Sequence, residues 1–184
     1  MSKEKVNLTG NINQDSIIAI QKRVDDNSKL IEYIVDDLVE EYCKQLDDYM
    51  IFIKDVLSDI NNPPNSLELD DFIMNLPVLM YFTSSSQESL GIKEDIIKAI
   101  KQEIYSVAYD MNTGTVATRT AAAELASQNE SIALIAYQRA YKKVKGRMDS
   151  AMETLNSIKK VISRRIAEYG ISQNSGNTDG RLHI

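Results

Sequence analysis

Arg139, Lys142, Lys143, Lys145, Arg147, Lys159, Lys160, Arg164 and Arg165 are the side chains in this sequence whose type and spacing point to a chemistry. They form two clusters, 139–147 and 159–165, and the step from Lys142 to Lys159 is 17 residues, or roughly 25 Å along an α-helix. The chemistry is phosphate neutralisation, in which each Lys or Arg on a phosphate releases condensed counterion. Two clusters at that distance match separated phosphates of one strand. Tyr137 and Tyr141 adjoin the first cluster as stacking surfaces for bases. The competing reading is a solvated helix face, with cations favoured toward a helix C-terminus, or a face docked on an acidic helix of a neighbour.

The distribution of charge sharpens the first reading. Residues 134–184 hold ten Lys/Arg against four Asp/Glu, and residues 1–133 hold eleven against twenty-three. The net charge of −6 thus conceals a strongly acidic majority and a basic C-terminal third. A local field of one sign acts over the Debye length whatever the total. A polyanion or an acidic protein surface is therefore the first partner to consider.

No other set of residues makes a comparable case. The carboxylate pairs Asp36/Asp37, Glu40/Glu41, Asp47/Asp48 and Asp70/Asp71 are sequence neighbours. Adjacent helical residues point about 100° apart, so these are solvated faces rather than catalytic dyads. One cysteine, Cys43, sits in a helical pattern as a small apolar residue, with no intrachain disulfide possible. The single histidine is His183, at the end of the chain. Nothing supports an enzyme, a cofactor or a metal site, and the Ser-rich run 83–88 lacks the glycines and lysine of a phosphate loop.

The elements that position the basic residues are helical. Three Pro, seven Gly and no Trp favour a few long helices over a large β core. Stepping 100° per residue from Arg139 places Ala140, Val144, Met148, Ala151, Leu155, Ile158, Ile162 and Ile166 on one packing arc. Arg139, Lys142, Lys143, Lys160 and Arg164 fall directly opposite. Arg147 and Arg165 flank that basic arc on one side, and Lys145 and Lys159 lie further round on the other.

Upstream, Asp15 caps an acidic helical segment over 15–60. Its seam of Ile31, Val35, Leu38, Tyr42, Tyr49, Ile53, Val56 and Ile60 is close to a heptad pattern. Asp25-Asp26-Asn27-Ser28 is a candidate break, and Asn61–Ser66 a clear one. A helical core over 65–170 follows. Asn65 and Glu68 have capping-box spacing, and a short helix should run from Leu67 to about Asn75. Pro77 bends or restarts it, Val78–Phe82 is a core patch, and Thr83–Glu88 is a polar loop. Ile92–Asp110 is helical, Asn112–Thr115 a turn, and Thr118–Ala126 a helix that is either separate from the last one or continuous with it. Residues 1–14 read as a flexible arm and 171–184 as a disordered tail. The fold class is all-α, elongated, with long N- and C-terminal helices in coiled-coil-like packing. No apolar run spans a bilayer and no signal peptide is evident, so the expected location is the cytoplasm.

The stretch from Leu76 to Tyr169 resembles the phage recombination mediators of the UvsY type. The residues that carry the resemblance are Leu76-Pro77-Val78-Leu79-Met80-Tyr81-Phe82, Leu90-Gly91-Ile92 and Tyr109-Asp110-Met111-Asn112-Thr113-Gly114-Thr115-Val116-Ala117. Ala140-Tyr141-Lys142-Lys143-Val144-Lys145 and Leu155–Arg165 are its strongest pieces. The acidic segment before Pro63 departs from the family pattern, as does the middle of the chain, where the family's basic residues are represented at best by Lys98 and Lys101. The resemblance implies a non-enzymatic homo-oligomer acting in the infected host cell. Such a protein binds single-stranded DNA and helps a recombinase displace the single-strand-binding protein. The alternative is a helical structural or assembly protein of a phage particle, without nucleic-acid binding.

Overall fold

The computed structural model describes residues 14–176, in which four helices take up nearly every residue: α1 (Gln14–Ser58), α2 (Ser66–Met111), α3 (Val116–Ala126) and α4 (Gln128–Gly176). The all-α expectation holds. Each of the three long helices extends about 70 Å by its rise per residue. All of the expected arm 1–14 but Gln14, which opens α1, lies outside the described residues, as do the end of the expected tail (177–184) and His183 within it.

The polar run Asp25–Ser28 does not break α1, which starts at Gln14 and continues to Ser58. Interior Asp, Asn and Ser cost only a few tenths of a kcal/mol each against a good helix former. Ser28 Oγ also bonds Glu32 one turn on, at 3.3 Å. The end comes where the sequence places it. The Asp59 carboxylate accepts from the backbone N–H groups of Asn61 and Asn62 at 3.0 and 3.2 Å, and Pro63-Pro64 follow. Asn65 then caps α2 in a capping box: Glu68 N–H donates to Asn65 Oδ1 at 3.0 Å, and Asn65 N–H donates to Glu68 Oε2 at 2.8 Å.

α2 departs furthest from expectation. It is one helix from Ser66 to Met111, running through Pro77 and through the expected loop 83–88. The cost of an interior proline, about 3 kcal/mol, is offset by Phe72, Leu76 and Met80, which are buried on either side of it. Burying side chains of this size gives about 1.5–3 kcal/mol each. The hydroxyls of Thr83, Ser84 and Ser86 bond back to the carbonyls of Leu79, Tyr81 and Phe82, a pattern helices accommodate. Val78–Phe82 is not a core patch: Met80 is buried, while Val78, Tyr81 and Phe82 are more than half exposed.

Gly114, at φ 122°, makes the turn after α2, a backbone conformation that only glycine adopts readily. Thr115 caps α3 through the Thr118 N–H at 3.3 Å. A single buried residue, Ser127, then separates α3 from α4, its Oγ donating to Ala123 O at 3.0 Å. The two helices are therefore separate. α4 continues past Tyr169 to Gly176, so the first residues of the expected tail are helical.

The seam of α1 is covered within its own chain. Toward the end nearest the α3–α4 junction, Val35, Leu38, Val39 and Cys43 pack with Leu90 of α2 and Ala136, Ala140 and Val144 of α4. Toward the other end, Leu46 and Ile53 pack with Leu69, Phe72, Leu76 and Met80 of α2 and Ala151, Leu155 and Ile158 of α4. These pairings make α2 antiparallel to α1 and α4 parallel to it. Cys43 is fully buried, and burial pushes its thiol up to about 11. Ile60 and Ile166, the outermost members of the two expected stripes, are exposed: Ile60 lies past the end of α1, and Ile166 lies on α4 beyond the end of α1 and the start of α2.

Candidate nucleic-acid interface

α4 displays the basic residues because its opposite arc is fixed in the core. Ala140, Val144, Ala151, Leu155 and Ile158 are buried, and Met148 and Ile162 pack half-buried against them. This orients the helix about its axis. Arg139, Lys142, Lys143, Lys145, Arg147, Lys159, Lys160 and Arg164 are exposed, and Arg165 is half-buried.

The nine side chains do not share one environment. Lys143 Nζ lies 2.5 Å from Asp36 Oδ1, and Arg147 Nε lies 3.5 Å from Asp47 Oδ1. The acidic α1 thus reaches over the near edge of the basic face. Arg165 donates to the Pro64 carbonyl at 2.8 Å, tying α4 to the α1–α2 connection. Arg164 Nε pairs with Glu168, one turn on, at 2.7 Å. Arg139, Lys142, Lys145, Lys159 and Lys160 have no ion-pair partner among the described residues.

Two features were not recognised in the sequence. Asp149 and Glu153 are exposed between the clusters. At 100° per residue they fall at roughly 280° and 320°, on the arc of Lys142 and Lys160. The basic surface is therefore two patches with a carboxylate interval, and the residue spacing alone contained that signal. Tyr137 and Tyr141, expected beside the basic cluster as stacking surfaces, are half-buried and packed against the α1–α2–α4 core. Tyr141 faces Gly91 of α2, because its position on α4 lies toward α2 and away from the basic arc.

Neighbouring polar contacts hold the first patch in place. Gln138 Nε2 donates to Glu94 Oε1 at 3.0 Å, linking α4 to α2. Lys93 Nζ donates to the Tyr42 hydroxyl at 2.5 Å and sits over its ring, linking α2 to α1. Arg23 donates to Gln128 Oε1 at 2.9 Å, fixing the start of α4 beside α1. Such an arrangement can do electrostatic work on an anion held along α4. Among the described residues, no group of three His, Cys, Asp or Glu side chains is placed to hold a metal ion. No helix among them is long and apolar enough to cross a membrane. Compared with known proteins, the chain matches no family model, no curated protein and no solved structure.

Proposed function

We propose that the chain is a non-enzymatic recombination mediator of a phage. It binds single-stranded DNA through the exposed basic face of α4 and helps a recombinase assemble against the single-strand-binding protein in the cytoplasm of the infected host. The observation that carries this reading is the group Arg139, Lys142, Lys145, Lys159 and Lys160, exposed and without ion-pair partners among the described residues in an acidic chain. The resemblance of Leu76–Tyr169 to the UvsY-type mediators supplies the biological role. Self-association would multiply a few weak phosphate contacts into useful affinity.

The mediator reading is tested on a single strand coated with single-strand-binding protein and offered to the recombinase. Adding the chain should shorten the lag before the recombinase's strand-dependent ATP hydrolysis. Replacing Arg139, Lys142, Lys159 and Lys160 with Ala should restore the lag. An unchanged lag with the wild-type chain would contradict the reading. A second reading, a structural or assembly protein of a phage particle, draws on the exposed apolar residues Ile92, Ile96, Ile100 and Val107 of α2. It requires no strand binding.

A further inference from the structure

A groove of about 960 Å³ runs between the first half of α1 and the start of α4. Its floor is aliphatic: Val24, Ile31 and Val35 from α1, and Ile135 from α4. Val24 and Ile135 are 59% and 43% exposed, so they open the apolar floor to solvent, while Val35 beneath belongs to the buried core. The α4 wall carries Arg139 and Lys142, exposed and without ion-pair partners among the described residues. Lys143 closes that wall, paired to Asp36 across the groove. The α1 wall carries Asn27, Ser28 and Glu32.

We propose that this groove receives the bases of the single strand, with the strand's phosphates along its α4 wall. The inference rests on the single-strand-binding reading above and adds where the bases go. The two walls differ in charge. Arg139 and Lys142 attract phosphate, while Glu32 and Asp36 repel it, so the backbone lies to the α4 side. Bases turned away from that backbone then meet the aliphatic floor, where their faces leave water. The Arg139 guanidinium adds a planar cation suited to stacking on a base. Asn27 and Ser28 offer hydrogen-bonding groups to base edges on the far wall. In a duplex the bases are already stacked and paired, so an apolar floor rewards only an unpaired strand. The second basic patch, at Lys159 and Lys160, then contributes phosphate contact, which is insensitive to whether bases are present.

The experiment compares an oligothymidylate with an abasic deoxyribose-phosphate strand of equal length, by anisotropy across salt, on the full chain. The oligothymidylate should bind about five- to tenfold more tightly at every salt concentration, as expected for a few tens of Å² of base face leaving water, with a matching salt slope. Val24→Asn with Ile135→Asn should remove that preference and leave abasic-strand affinity unchanged. Both positions are exposed and Asn differs little from these residues in helix propensity. Circular dichroism of the variant should overlay the wild type. A second variant, Ile135→Trp, places the only tryptophan of the chain in the floor. Its emission should respond to the oligothymidylate and not to the abasic strand. Equal wild-type affinity for the two strands, a preference surviving in the double variant, or a silent Trp would each overturn the groove while leaving the mediator reading intact. Absence of salt-sensitive binding to both strands would overturn the two together.

Discussion

Lys143 and Lys142 are neighbours on α4, yet α1 separates their roles. Lys143 is held by Asp36, whereas Lys142 stands free of ion pairs among the described residues. An exposed ion pair of this kind is worth about 0–1 kcal/mol, so an arriving phosphate can displace the carboxylate at little cost. Asp36→Asn leaves Lys143 unpaired from the outset. It should tighten single-strand binding, because phosphate no longer competes with a carboxylate at Lys143. An affinity equal to or below that of the wild type, measured at low salt, would show that Lys143 lies off the strand's path. The sequence made the nine basic residues legible through their spacing. It did not show which of them are engaged, because Asp36, Asp47 and Pro64 lie about a hundred residues away along the chain. Asp149 and Glu153 were legible by the same geometry that found the lysines.

Among the elements, α1 and α4 follow from their apolar periodicity and α2 does not. Pro77 and the run Thr83–Glu88 carry local signals for breaks, and tertiary packing overrides them. Leu76, Met80, Thr83 and Leu90 are all buried along one continuous helix. The expected core patch Val78–Phe82 fails for the same reason: a continuous helix turns Val78, Tyr81 and Phe82 to the outside. Because α2 is continuous at Pro77, Pro77→Ala restores the missing N–H and removes the ring's clash with the preceding turn. The variant should be more stable by about 1–2 kcal/mol, the helix-interior penalty less the unfolded-state entropy that proline withholds. A urea midpoint that falls in the variant would indicate a true chain break there.

At the scale of the whole molecule, the core explains what the α1 seam and the α4 packing arc are for: they meet each other and α2 inside one chain. The case for self-association therefore moves to an exposed face of α2. Ile92, Ile96, Ile100 and Val107 of α2 are each more than two-fifths exposed, and Ile92, Ile96 and Ile100 recur one turn apart. We propose this row as the place where copies of the chain meet, since contiguous exposed apolar surface favours association. Light scattering at micromolar concentration should give a mass above that of one chain, and Ile96→Glu with Ile100→Glu should reduce it. A monomer mass for the wild type across the whole concentration range would refute self-association. The central claim, that an acidic helical protein binds a single strand through the two basic patches of α4, is tested most directly by fluorescence anisotropy of a labelled oligonucleotide titrated across salt. The predicted result is an affinity whose logarithm falls linearly with the logarithm of salt, at about −0.7 per phosphate contact. The slope should flatten when Arg139, Lys142, Lys159 and Lys160 become Ala. An oligonucleotide that shows no salt-sensitive binding to the wild-type chain would contradict the account and leave the helices to particle assembly.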